Sequence, residues 1–122
     1  LFVDLALNNK DITIHGDGLQ TRSISYAKDI ANGLSNMTQV SNEIVNLGTD
    51  EQTTVREVAE YIIKKTKSKS KIKYVPRKEI FGNYNEIMVR FANIAKAKKY
   101  IDYRVNYTTT QVIDEIIKEF IK

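Results

Sequence analysis

Apolar positions recur along the chain with two periods, one helical and one alternating, and these divide it into short elements. Residues 2–8 carry a helical pattern through Phe2, Val3, Leu5, Ala6 and Leu7, ending around Asn8-Asn9. Ile12-Thr13-Ile14-His15 is rich in β-branched residues and reads as a strand. Gly16-Asp17-Gly18 follows as a turn, because glycine reaches positive φ without steric cost. Residues 22–25 suit a second short strand, and Lys28–Leu34 a helix with Ile30, Ala31 and Leu34 on one face.

Glu43–Gly48 reads as a short strand closed by a glycine turn. Thr54 with Glu57 three positions on is a capping box, and Val55, Val58, Ala59, Ile62 and Ile63 then share one helix face. Ile72-Lys73-Tyr74-Val75 is a strand stopped by Pro76, which lacks a ladder donor. Residues 77–92 show no period and are expected to form a long ordered loop, a feature often tied to function. Asn93 can cap a short helix through Ile101. Thr108 with Gln111 is a second capping box, opening a helix expected to bury Val112, Ile113, Ile116, Ile117, Phe120 and Ile121. The fold class is α/β, α+β-like in its short strands and helices, in one domain spanning residues 1–122.

Composition narrows the chemistry. The chain has 122 residues, 42% hydrophobic and 28% charged, which suits one globular domain and excludes dominant disorder. No apolar run approaches the ~20 residues a membrane span needs, so no membrane partner is expected. There is no cysteine, which removes disulfides, thiolate metal sites and thiol nucleophiles, and His15 is the one histidine. The net charge of +4 comes largely from Lys64, Lys65, Lys67, Lys69, Lys71 and Lys73, a run that reads as a solvated helix end and linker. Basic residues are not interleaved with aromatics and no reading motif is present, so nucleic acid is not an expected partner. The chain begins at Leu1 inside a helical pattern, and the expectation is a piece of a longer protein.

Three stretches carry a resemblance. Ile12–Asp29, with Gly16-Asp17-Gly18 and Gln20-Thr21-Arg22, resembles the "YGDG-x-QTR-x-F-x-YV-x-D" segment of extended short-chain dehydrogenase/reductases that act on sugar nucleotides. Asn46-Leu47-Gly48 with Thr54–Glu60 resembles their "NLG…T-x-x-E-x-A" segment. Residues 90–113 resemble their "R-x-PD-x-SKAK-x-x-LGW-x-P-x-x-S-x-x-E" tail, in the same order and spacing. The resemblance implies the C-terminal, substrate-binding portion of an NAD-dependent epimerase, 4,6-dehydratase or decarboxylase. NAD and the catalytic Tyr-x-x-x-Lys pair would belong to an N-terminal Rossmann domain of the same protein, absent from this chain.

The residues agree with that division. The sequence holds no G-x-x-G-x-x-G. Tyr61 and Lys65 have the Tyr-x-x-x-Lys offset but lie in the capped helix, and Tyr74 and Lys78 are separated by Pro76. No catalytic, cofactor-binding or metal residue is expected in this chain, which alone should be inactive. The resemblance implies three substrate-binding residues: Arg22 and Arg90 on the diphosphate, where a guanidinium fork matches phosphate oxygens, and Tyr84 on the nucleotide. Val89 and Ala92-Asn93 depart from the family's second arginine and Pro-Asp. Ser23 stands where many relatives carry aspartate and is left out of the site. His15, Tyr26 and Asp29 are expected to be structural, with Asp29 serving the amide donors that open its own helix. Asp102 replaces a helix-ending glycine, a position where aspartate is less tolerated.

The expected function is the nucleotide-sugar-binding half of a cytoplasmic isomerase or lyase, with a homodimer as an open option. The alternative is a stand-alone, non-catalytic module that binds nucleotide sugars or another protein. The residues that choose among epimerase, dehydratase and decarboxylase are expected mostly in the N-terminal domain, and the sequence does not identify the sugar or the base.

Overall fold

A computed structural model describes residues 1–82 and 85–122. Helix α1 (Phe2–Leu7) ends at the Asn8-Asn9 pair, Asn9 taking a left-handed φ of 53°. Strand β1 (Ile12–His15) buries Ile12 and Ile14 and exposes Thr13, the alternation its sequence predicts. It pairs in parallel with β4 (Ile72–Val75), Ile12 opposite Ile72 and His15 opposite Val75. Between them in sequence come the two-residue β2 (Thr21–Arg22) and β3 (Thr53–Thr54), paired antiparallel in a sheet of their own. The strand expected over 22–25 is therefore confined to Thr21–Arg22.

Both capping boxes form. Thr54 accepts from the Glu57 amide and Glu57 Oε2 from the Thr54 amide, opening α3 (Val55–Thr66); Thr108 and Gln111 do the same for α6 (Thr109–Ile121). Helices α1, α3 and α6 pack on one another, and α1 and α3 lie on β1. Their shared core is Val3, Ala6, Ile12, Ile14, Ala59, Ile62, Ile113 and Ile117. Three residues expected in that core lie outside it: Ile116, Phe120 and Ile121 are 40%, 54% and 67% exposed. The outer side of α6 has no element over it among the described residues.

A second cluster gathers Ile94, Ala97, Ile101 and Tyr103 beneath α2 (Ala27–Asn36), with α5 (Ala95–Ile101) contributing Ala97 and Ile101. Here α2 turns an unexpected side inward. Asp29 and Gly33 are buried, whereas Ala31 and Leu34 are exposed. Gly33 is required by close packing, since a Cβ there would lie 2.8 Å from both Leu47 and the Tyr103 ring. Asp29 does not serve its own helix. Its carboxylate accepts from the Asn106 and Tyr107 amides at 3.0 and 3.3 Å and from Asn106 Nδ2 at 2.9 Å, fastening the strap that leads into α6. Tyr26 packs on Tyr107 beside it, ring centroids 4.3 Å apart.

Three further differences from the sequence reading have local causes. Residues 43–48 form no strand and join no ladder, because no described strand lies alongside. The segment after Pro76 holds a short helix, α4 (Arg77–Phe81), for which Pro76 at φ −56° is well disposed. Asp102 does adopt the left-handed conformation, at φ 46°, with its carboxylate on Arg104 at 3.0 Å, so α5 ends cleanly without glycine. No helix among the described residues is long and apolar enough to cross a membrane.

Candidate functional site

Three segments border a cleft of about 410 Å³: residues 22–25 at and after the end of β2, 46–49 at the end of the unladdered stretch, and 90–93 before α5. Asn46 Nδ2 donates to the Asn93 carbonyl at 3.4 Å, tying two of the rims together. Gly48 forms part of the wall, where a Cβ would stand 3.2 Å from Ala92, and its carbonyl accepts from the buried Tyr103 hydroxyl at 2.9 Å. Asn93 Oδ1 accepts from the Ala95 amide at 3.1 Å, so it does steady the start of α5.

Arg22 and Arg90, from sequence-distant segments, both line this cleft. Arg22 Nη1 donates to the Thr21 carbonyl at 2.7 Å and the Ile87 carbonyl at 3.0 Å, and Nη2 donates to Glu86 Oε1 at 2.6 Å. That engages three of the five guanidinium N–H groups, and the other two have no partner among the described residues. Arg90 is exposed and has no ion-pair partner among the described residues. Among the described residues no carboxylate lines the cleft. The Ser23 hydroxyl, set aside in the sequence reading, is buried in the same wall with no hydrogen-bond partner among the described residues. Two cations from sequence-distant segments thus border one cleft, and the acid paired with Arg22, Glu86, also accepts from Arg77. Tyr84, the third residue expected there, lies outside the described residues.

The Tyr-x-x-x-Lys offsets are occupied otherwise. Tyr61 donates to Asp114 Oδ1 at 2.8 Å and Lys65 to Asp114 Oδ2 at 2.7 Å, clamping α3 to α6. Burial and the adjacent Asp114 push the Tyr61 hydroxyl up, and Asp114 raises Lys65, shifts opposite to those a proton-transferring pair needs. Tyr74 lies under the Arg56 guanidinium, 5.3 Å from ring centre to Cζ. Among the described residues no group of three His, Cys, Asp or Glu could hold a metal ion.

This arrangement is the fold of extended short-chain dehydrogenase/reductases, here covering part of their length. The sequence pattern of the GDP-mannose 4,6 dehydratase family matches residues 2–116, and the chain belongs to that family. It is 32% identical to the UDP-N-acetyl-alpha-D-glucosaminuronate decarboxylase of Bacillus cytotoxicus, over 98% of this chain and 38% of that protein. The UDP-glucose 4-epimerase of Thermotoga maritima, solved with UDP-glucose, superposes with a TM-score of 0.87 at 20% identity, over 98% of this chain and 38% of that one. A UDP-glucuronic acid 4-epimerase from Bacillus cereus, solved with UDP-glucuronic acid and NAD, superposes at 0.81 and 21% identity with the same coverage. The chain thus spans about 38% of the length of these proteins.

NAD is the cofactor of the parent family. The residues present here do not fit it. Gly16-Asp17-Gly18 is the glycine turn that follows a parallel strand, but it leads into β2 instead of a helix N-terminus. Its space is also taken, since a Cβ on Gly16 would meet Arg77 Nε at 2.5 Å, and the Gly18 carbonyl accepts from the Arg56 amide.

Proposed function

We propose that the cleft binds the diphosphate of a nucleotide sugar, with Arg22 and Arg90 on the phosphate oxygens and Tyr84 on the nucleotide. The chain is then the C-terminal substrate-binding domain, residues 1–122, of a cytoplasmic NAD-dependent epimerase, dehydratase or decarboxylase. An N-terminal Rossmann domain would supply NAD and the catalytic Tyr-x-x-x-Lys pair, leaving this chain inactive alone. The observation that carries the reading is the convergence of Arg22 and Arg90 on one cleft that no carboxylate lines among the described residues. A diphosphate diester carries two negative charges, which the two guanidinium groups match. Binding energy from this remote group would orient the reacting sugar ring.

The partner domain has its own support. Residues 43–48 join no ladder among the described residues, Ile44 is 86% exposed and Leu34 on α2 is 60% exposed. Large apolar side chains left exposed suit a surface that another domain covers. The same surface keeps a homodimer open as a second reading, and sedimentation of the chain alone separates the two.

Calorimetry with a UDP-sugar on the full-length protein tests the site. Arg22→Ala is expected to weaken binding by ~1.5–3 kcal/mol, the worth of hydrogen bonds to a charged group. Arg90→Ala is expected to weaken it in the same direction. Unchanged affinity in both variants would remove the cleft from the substrate site, and heat without turnover in the full-length protein would favour a non-catalytic binding module.

A further inference from the structure

Glu86 is the residue to which Arg22 is tied by charge, and it faces a second arginine. Its Oε1 accepts from Arg22 Nη2 at 2.6 Å, and its Oε2 accepts from Arg77 Nη1. Arg77 is itself fixed, because its Nε donates to the His15 carbonyl at 3.1 Å and its side chain lies where a Gly16 Cβ would stand. The carboxylate is 17% exposed and does not line the cleft. The segment that carries it also holds β2, since the Thr21 amide donates to the Met88 carbonyl at 2.7 Å and Arg22 to the Ile87 carbonyl. An unbroken relay therefore runs from the end of β1 through Arg77 and Glu86 to Arg22.

We infer that Glu86 is a positioning residue for the anion site: it fixes the Arg22 guanidinium so that its two remaining N–H groups face the cleft. The inference rests on the nucleotide-diphosphate reading for its ligand, though not for its geometry. A carboxylate next to an anion site could instead oppose the ligand. Here Arg77 balances the Glu86 charge, so its field on a bound diphosphate is small and its hold on Arg22 remains as its main effect. A long side chain ordered beforehand loses less freedom on binding, which favours affinity. The two roles thus predict opposite signs: a positioning Glu86 strengthens diphosphate binding, and an opposing Glu86 weakens it.

The test is Glu86→Gln in the full chain, with UDP as the probe. Gln keeps the volume and one acceptor but cannot hold two guanidinium groups. Affinity should fall about three- to tenfold, and Glu86→Gln should have no further effect in an Arg22→Ala background. Unchanged or tighter binding overturns the inference. A ligand-free readout separates it from the nucleotide reading: in side-chain nitrogen NMR the Arg22 Nη groups should exchange faster in Glu86→Gln than in the parent chain, the Thr21 and Ile87 carbonyls holding Nη1 in both. Unchanged exchange overturns the inference whatever UDP does. If the parent chain does not bind UDP but Arg22 exchange accelerates in the variant, the nucleotide reading fails and the positioning role stands. Should Glu86→Gln not fold, Glu86→Asp, which withdraws the carboxylate by one methylene, should give an intermediate loss of affinity, and parental affinity in it would overturn the role.

Discussion

Around Ile12 and Ile14 the chain surrounds its own core, whereas around Ile94 and Tyr103 it builds walls that are only half-buried. In the first region β1 has a full parallel partner in β4, and α1, α3 and α6 close on it. In the second, the residues against the cluster are Met37, Val40, Val45, Leu47, Ala92 and Val105, mostly from segments without regular structure. Its stretch at 43–48 has no ladder partner among the described residues, and Leu34 and Ile44 face outward. The candidate site lies on this second side. The contrast teaches that the first cluster is framed by regular elements, while the second, equally buried at its centre, is framed by irregular segments.

Paired core truncations would break or sharpen this contrast most. Ile12, fully buried among regular elements, should cost ~3–5 kcal/mol as Ile12→Ala in urea unfolding, and Ile101→Ala about 2 kcal/mol, because its surroundings can relax. Equal losses would make the two regions equivalent. Gly33→Ala tests the seam between α2 and the second cluster. The added methyl meets Leu47 and the Tyr103 ring at 2.8 Å, so overpacking of about 1–3 kcal/mol should outweigh the ~1 kcal/mol that alanine gains inside a helix. A raised melting temperature would mean that the second cluster is loose enough to absorb it.

The smallest effect is one of pH. The hydrogen bond from Lys65, with that from Tyr61, holds the Asp114 carboxyl below its ordinary value and so favours its charged form. A carboxylate with a lowered folded-state pKa adds stability above the ordinary aspartate value of about 4 and loses it as pH falls through the lowered value. The melting temperature should therefore drop below about pH 4, and Asp114→Asn should drop less steeply there. Parallel curves would show that the α3–α6 clamp contributes nothing measurable, as for many exposed ion pairs.

Elements set by neighbours in sequence were legible beforehand. Thr54 with Glu57 and Thr108 with Gln111 specify helix starts within four residues, and Ile12–His15 specifies a strand by its branched side chains. Arg22 and Arg90 could be named from the resemblance, and they share one cleft. What escaped depends on distant partners. The inward side of α2 is chosen by Tyr103 pressing on Gly33, and the role of Asp29 by amides 77 and 78 residues away. Apolar period alone could not tell that Ile116 and Phe120 face outward or that 43–48 lacks a partner strand. Glu86 carried no signal, because its meaning comes from two arginines that the fold brings to it from separate segments.

The central claim is that the cleft between residues 22–25, 46–49 and 90–93 takes a nucleotide diphosphate. Titrating UDP into the isotope-labelled chain and following amide and arginine side-chain NMR signals tests it most directly. The account predicts saturable shifts concentrated at Arg22, Ser23, Gly48, Thr49 and Arg90. Shifts centred elsewhere on the molecule, or none at millimolar UDP, would contradict it.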